Sequence, residues 1–363
     1  METGSIEEII DIIIETAVLV RASDIHIDPT DHALSVYFRV DGTLRFHGDY
    51  PLALHDGVML RIKVLARLPL DDKRLPKDGR FKWANKAGTL SAEVRVSMMP
   101  TIYGENAVLR LFDPLISIFT LKELGFSDMH TLSLERALAF RSGLVMIVGP
   151  TGSGKTTTLY SMLSYLKRSG RLIITVEDPI ERRIDGIRQI EVGGSTFLEY
   201  VTVLRSILRQ DPDVIMIGEI RDKEGAELAI QSALTGHLVI STLHASSAFS
   251  VKHRLSNMGI PEYLIDATLV TALSQRLVSK ICPHCIGDED HLSSYSGWFL
   301  KENISLPATF FKKGKGCSAC SYTGVTGRMV VSEMLGDEGV PIRMDAYWKA
   351  VDGLIPLSEV MTV

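Results

Sequence analysis

Cysteine is scarce and confined: the 363 residues carry four, as Cys282-Pro-His-Cys285 and Cys317-Ser-Ala-Cys320, with none left over. Long apolar runs are missing as well. No stretch approaches the roughly 20 apolar residues of a membrane span, and Ile9 to Val20 is broken by Asp11 and Glu15. Met1 to Glu8 is acidic where a secretory signal is basic. The chain therefore reads as soluble, with any membrane association made through a partner. An excess of positive charge is also lacking. Lys and Arg number 39 against 44 Asp and Glu, a net charge of −5, so the global basic footprint of a nucleic-acid binder is absent and no direct nucleic-acid contact is expected.

What is present begins with length and balance. With 45% hydrophobic and 23% charged residues over 363 positions, the chain has enough material for two or three domains with sizeable cores. Gly149-Pro150-Thr151-Gly152-Ser153-Gly154-Lys155-Thr156 matches G-x-x-x-x-G-K-[ST] in full, and Thr157 follows at the start of a helical pattern running to Leu166. The apolar run Leu144 to Val148 leads in as a buried strand. Glycines at 149, 152 and 154 let successive N–H groups turn toward phosphate oxygens at the positive end of the helix. In that motif Lys155 reaches the β- and γ-phosphates and the Thr156 hydroxyl holds Mg²⁺, which points to ATP or GTP.

Three segments separate along the chain. A helical pattern, Ile6 to Val20, and strands over Leu34 to Val40 and Leu90 to Val96 predict an α+β N-terminal domain over 1–113. In the last strand Ser91, Glu93 and Arg95 share the face turned from the core. Leu75 to Arg80, LPKDGR, predicts a turn with Arg80 at a loop edge, and both arginines read as solvated. A linker is expected over 114–125. Beyond it comes a helix, Ser127 to Ala139, and strands at Leu144 to Val148, Leu172 to Val176, Val214 to Ile217 and Leu238 to Thr242. These give the βαβ rhythm of an α/β core with a parallel-rich sheet over 126–281.

Further clusters in this core carry chemistry. Glu177-Asp178-Pro179 follows a strand and so lies at the carboxyl edge of the sheet, where ligands bind in open α/β folds. Val214 to Glu219, VIMIGE, has the form of a Walker-B strand, and Glu177 and Glu219 are both candidates for handling Mg²⁺ and the attacking water. Spacing does not assign the base. His237 and His244 bracket the strand Leu238 to Thr242. Arg205 and Arg209 are four apart on a helix predicted over Tyr200 to Gln210, either as a phosphate clamp or as a solvated stripe.

The four cysteines, in a reducing compartment, favour a metal over disulfides. Two C-x-x-C turns offer Cys282, Cys285, Cys317 and Cys320 to one tetrahedral Zn²⁺, a closed and therefore structural site. The 31 residues from Ile286 to Gly316 exceed the usual 15–20 or so and predict a small lobe over 282–320, followed by a C-terminal segment over 321–363.

Taken in order, GPTGSGKTTTLY, TVEDPIE, LRQDPDVIMIGEIRD, ALTGHLVISTLH and the paired C-x-x-C resemble the secretion ATPase family of type II secretion, type IV pilus assembly and competence pili. SDIH, RVDG, LPKDGR, RVS and GEN extend the match through the N-terminal segment, and TGVTGR carries it past the second cysteine pair. The resemblance implies a homo-hexameric motor with a RecA-like core, in which an N-terminal domain closes over ATP. It implies phosphate contacts for Arg80 and Arg95, an ATP-sensing or inter-subunit role for Arg205 and Arg209, and water activation by Glu177 with Glu219 as the Walker-B acid. It puts His237 and His244 in the family's histidine boxes.

Two departures narrow the expectation. Thr202 stands where many members carry an arginine, and the chain begins almost at the SDIH segment, as in competence-pilus ATPases. The paired cysteines set it apart from retraction ATPases. The implied setting is cytoplasmic and peripheral to the membrane, acting on pilin or pseudopilin assembly through a polytopic inner-membrane platform protein. The rival readings are a nucleic-acid translocase and a non-hydrolysing nucleotide-gated scaffold.

Overall fold

A computed structural model describes residues 5–71, 73–112, 119–193, 199–289, 295–301, 311–336 and 340–363. The chain divides into two compact units, Met1–Ser117 and Ile118–Val363. Of the linker expected over 114–125, residues 114–118 lie outside the described residues.

In the first unit, Ser5 starts helix α1 (Ile6–Leu19) with a capping box, its hydroxyl accepting the Glu8 N–H while the Glu8 carboxylate accepts the Ser5 N–H. Ile10, Ile13, Ile14 and Ala17 form the buried stripe that the helical spacing predicts. Strands β1 (Asp24–Pro29), β2 (Ala33–Val40), β3 (Thr43–Pro51), β4 (Lys77–Ala84), β5 (Ser91–Thr101) and β6 (Gly104–Phe112) form an antiparallel sheet ordered β3-β2-β1-β6-β5-β4. The apolar sides of α1, of α2 (His55–Ala66) and of one sheet face join in a single core.

Within that core Glu105 is buried between two lysines, Lys63 Nζ at 2.7 Å and Lys77 Nζ at 3.1 Å, so one carboxylate ties α2, β4 and β6 together. Burial pushes the Glu105 carboxyl up, but the two lysines outweigh it and hold it below the usual range.

The second unit contains α3 (Asp128–Ala139), β7 (Gly143–Val148), α4 (Lys155–Lys167), β8 (Ile173–Glu177), β9 (Arg188–Glu191), α5 (Tyr200–Ile207), β10 (Val214–Ile217), α6 (Lys223–Leu234), β11 (Leu238–Leu243), α7 (Ser250–Asn257), α8 (Glu262–Thr268) and β12 (Leu269–Ile281). Then follow β13 (Ile286–Asp288), α9 (Ser296–Lys301), β14 (Lys312–Gly314), β15 (Val325–Met334), α10 (Ile342–Val351) and α11 (Leu357–Val360). The sheet order is β15-β12-β7-β11-β10-β8-β9, parallel except for the β12–β15 pair. Every residue of β7, β8, β10 and β11 is buried, because helices cover both faces and leave no polar side.

The fold class expected from sequence is the one observed: an α/β phosphate-loop unit with a parallel-rich sheet, a smaller α+β unit and a cysteine lobe. Two features differ from what local spacing predicts. LPKDGR does not form a turn at Arg80; Lys77–Ala84 pairs with β5 over eight positions, and that ladder overrides the turn preference of Asp78-Gly79. The expected C-terminal segment contributes β15 to the main sheet, paired with β12. Of the insert in the cysteine lobe, β13 and β14 pair as a short ladder, while residues 290–294 and 302–310 lie outside the described residues.

Candidate nucleotide-binding site

Strand β7 ends at Val148 and the chain turns at once. Gly149 has φ 147°, and a Cβ there would sit 2.6 Å from the Gln275 carbonyl oxygen, so only glycine fits. Gly154, at φ 86°, caps α4 from the left-handed region. Lys155 is the first residue of α4, and its Nζ curls back to donate to the carbonyls of Gly149 at 2.9 Å and Pro150 at 3.0 Å. Burial pushes this ammonium below its usual range; the nearby Glu219 carboxylate works the other way, and Arg276 adds to the lowering. Ser153 is buried, Thr156 half-buried, and Pro150, Thr151, Gly152 and Thr157 face solvent.

A residue with no local motif braces this loop. Gln275, in the middle of β12 and fully buried, donates its amide to the Ser153 carbonyl at 2.7 Å and accepts the Thr158 hydroxyl at 2.9 Å. Arg276 beside it donates to the Ser246 carbonyl at 3.2 Å. The strand sequence offers little signal for it, because Gln275 and Arg276 stand among Thr271, Ser274, Ser279 and Lys280 in a run that interleaves polar with apolar residues.

The two acids differ sharply in setting. Glu219 follows β10 at the carboxyl edge of the sheet and is half-buried. The turn beneath it is pinned by β11: Ser241 donates to the Ile217 carbonyl at 2.8 Å and Thr242 to that of Gly218 at 2.7 Å. Arg221 donates to Glu219 and, at 3.2 Å, to Asp178, while His244 Nε2 lies 3.6 Å from Glu219 Oε2.

Glu177, in contrast, is 4% exposed and turned inward. Its carboxylate accepts the Tyr160 hydroxyl, the Thr175 hydroxyl at 2.5 Å and the Gln189 amide at 3.1 Å. Three donors thus occupy the acid expected to face water. Asp178 and Glu181, the other two acids of E-D-P-x-E, are the exposed ones, and both are legible in the motif.

The histidines part company. His244 follows β11 at the edge shared with the phosphate loop, since Leu243 is registered with Val148. His237 precedes β11, next to the Leu238–Gly143 pair at the opposite edge, with Nδ1 2.9 Å from the Ser232 carbonyl. A six-residue strand separates the two edges by about 20 Å. His237 is therefore not among the residues that meet the loop in its own unit. Arg205 and Arg209 are exposed on and just after α5: Arg205 pairs with Glu224 at 2.8 Å, and Arg209 donates to the Arg205 carbonyl and the Ser206 hydroxyl. Their partners are residues of α5 and α6 rather than of the phosphate loop.

In the first unit Arg80 and Arg95 are cross-strand partners, and Arg110 is registered opposite Arg95. Directly opposed residues share a face, so three guanidinium groups stand in one row across the sheet. Arg95 also lies over the Phe112 ring, 4.5 Å from its centroid.

The four cysteines converge, all sulfurs lying within 4.8 Å of one another. Cys282 to Cys317, Cys285 to Cys320 and Cys317 to Cys320 measure 3.9, 3.9 and 3.8 Å between sulfurs. Thiolates at about 2.3 Å from a tetrahedral zinc stand roughly 3.8 Å apart, so the cluster fits such an ion. N–H groups of Gly316, Cys317 and Gly324 point at Cys285 and Cys320 at 3.2 to 3.3 Å, donors that favour the charged sulfur a metal needs. Among the described residues, no helix is long and apolar enough to cross a membrane.

Comparison with known proteins bears on this arrangement directly. The family described as Type II/IV secretion system protein matches residues 1–346. The putative type II secretion system protein E of Escherichia coli strain K12 is 42% identical over 327 residues, covering 90% of this chain and 66% of the relative. The type IV pilus assembly ATPase TfpB of Acinetobacter baylyi is 37% identical over 390 residues, covering 99% and 65%. The chain thus spans about two thirds of the length of these two relatives. The crystal structure of the pilus retraction motor PilT with bound ADP superposes with a TM-score of 0.63 at 26% identity, over 99% of this chain and 97% of that one. On these grounds the chain belongs to the Type II/IV secretion system protein family, the secretion ATPase superfamily, an ATP-hydrolysing class of phosphate-loop enzyme.

Proposed function

We propose that this chain is the ATP-driven subunit of a homo-hexameric motor that assembles a pseudopilus or type IV-like pilus. The observation that carries the reading is Lys155, folded back on the carbonyls of its own loop with Glu219 as the carboxylate acting on it. On binding ATP, the loop N–H groups and Lys155 take the β- and γ-phosphates, Lys155 exchanging the Gly149 and Pro150 carbonyls for phosphate oxygens. The Thr156 hydroxyl and Glu219 would hold Mg²⁺, which neutralises charge on the phosphates. Glu219 in turn is fixed by Arg221 and His244.

The exposed Arg205 and Arg209 suit a contact with a neighbouring subunit, and the row containing Arg80 and Arg95 suits phosphate. Zn²⁺ in the cysteine cluster would crosslink the lobe. The relatives are named for type II secretion and type IV pilus assembly, and these names support a place in that group of pathways, with a competence pilus as the reading the sequence favours. The partners then are a polytopic inner-membrane platform protein and the pilin or pseudopilin machinery, met from the cytoplasmic side and without direct nucleic-acid binding.

Steady-state ATP turnover tests the reading. Lys155→Ala should lower kcat by at least about 100-fold, the loss typical of removing a donor from developing charge, while the thermal transition stays in place. Turnover within a few-fold of the parent chain would refute it.

A further inference from the structure

Glu177, expected from the family resemblance to activate water, forms with Tyr160 a buried unit that the proposed function does not use. Tyr160 lies on α4, five residues after Lys155, and is 5% exposed. Its hydroxyl donates to Glu177 and accepts the backbone N–H groups of Glu181 and Arg182, each at 3.2 Å. A second route runs through Gln189, whose amide donates both to Glu177 and, at 2.8 Å, to the Arg182 carbonyl; its own oxygen accepts the Ile184 N–H at 2.7 Å. One carboxylate therefore organises the crossing segment from Asp178 to Ile184 from both sides. Asp178, at the start of that segment, receives Arg221, and Arg221 also holds Glu219.

Burial pushes the Tyr160 phenol well above its usual range, and Glu177 adds to that; the phenol stays protonated and remains a donor to the carboxylate. A water-activating acid needs an open lone pair toward the attacking water. On Glu177, Oε1 takes two donors and Oε2 the Tyr160 hydroxyl, and at 4% exposed the side chain is turned away from the solvent that would supply the water.

We infer that Glu177 is a positioning residue, not the base. Through the Tyr160 hydroxyl it fixes the Asp178–Ile184 segment against α4 and so sets the Asp178–Arg221–Glu219 chain facing the phosphate loop. The inference rests on the ATPase reading above. Loss of the hydroxyl leaves two N–H donors and one carboxylate oxygen without their shared partner, and the segment moves. An ångström of misplacement at a reacting centre can cost about 100-fold in rate.

The test is ATP turnover by the 363-residue chain carrying Tyr160→Phe, Glu177→Gln and both. Each single change should lower kcat by a similar factor, about 10- to 100-fold, with KM for ATP within about threefold. The double variant should be no worse than the more severe single one, because both act on one link. The acidic limb of the kcat–pH profile should persist in Glu177→Gln. A base would behave otherwise: Glu177→Gln would be far more damaging than Tyr160→Phe, the losses would multiply, and the limb would vanish; any of these overturns the inference. So does a normal kcat in Tyr160→Phe at a temperature below its melting point, the mark of a merely structural hydroxyl. If Tyr160→Phe does not fold, Thr175→Val removes a different donor from the same carboxylate and should lower kcat several-fold with KM unmoved; an unchanged kcat there counts against the inference. Lys155→Ala in parallel separates the two levels. If it still turns over ATP the functional reading fails, and if it does not while Tyr160→Phe is normal only the positioning role fails.

Discussion

Replacing Gln275 by leucine probes the phosphate loop from behind. Leucine nearly matches glutamine in volume, so no cavity of consequence opens, but both of its hydrogen bonds disappear: the donor at 2.7 Å to the Ser153 carbonyl and the acceptor at 2.9 Å for the Thr158 hydroxyl. The site is fully buried, so water does not replace them. Each orphaned group costs about 1–3 kcal/mol, and the added apolar surface offsets part of the sum, leaving about 3 kcal/mol. For a unit of this size a kilocalorie moves Tm by about 2–4 °C, so the shift should be roughly 6–12 °C.

Calorimetry with and without ADP identifies the transition that belongs to the nucleotide unit and measures the change. ADP affinity should fall as well, by about tenfold for ~1.4 kcal/mol of lost loop order. Adding Thr158→Val removes one orphan, and the double variant should regain about 1 kcal/mol relative to Gln275→Leu alone. A Gln275→Leu chain melting within 2 °C or so of the parent, with unchanged ADP affinity, would refute the idea that this amide holds the loop.

Two further outcomes follow from geometry elsewhere. Metal analysis of the purified chain should find about one zinc per chain, lost in Cys320→Ser together with a lower Tm, because four thiolates at this spacing close a structural site; a parent chain free of metal yet equally stable after chelation would argue against it. Asp24 supplies a pH dependence. Burial pushes its carboxyl up, but hydrogen bonds from Arg110 and Ser23 outweigh this and leave it below its usual value in the folded chain. The stabilisation is thus present above the unfolded pKa of about 3.9 and is lost as pH falls toward the folded value. The Tm difference between the parent and Asp24→Asn should shrink from pH 7 to pH 3, and a difference that grows would reverse the sign of the argument.

What the sequence discloses and what it hides divide along a physical line. Strand β7, the glycine turn and α4 were legible because burial, left-handed glycines and helix start are all encoded within about 25 consecutive residues. The Walker-B strand was legible for the same reason. Gln275 was not, since its partners lie 122 and 117 positions away and β12 interleaves polar with apolar residues. Arg80 was misplaced because KDGR carries local turn preferences that eight cross-strand pairings overrule. Glu177 sits at the expected edge of the sheet, yet which way a carboxylate turns there depends on Tyr160, Thr175 and Gln189, two of them from other elements. The histidines were separable in principle: in a parallel sheet a residue before a strand and one after it stand at opposite edges.

Strand β12 is also a mechanical element. It runs unbroken in pairing with β15 apart from one irregularity at Ser279–Ile281, carries Gln275 near its middle, and delivers Cys282 directly at its end. An extended strand is close to inextensible, at about 3.3 Å per residue, so seven residues make a tie-rod of roughly 20 Å with the phosphate loop bolted to one end and the cysteine cluster to the other. A pull on the lobe along that axis meets the irregularity at Ser279–Ile281 as its only slack, and the Gln275 amide is the side-chain link by which it reaches the Ser153 carbonyl. Load and fuel thus share one beam.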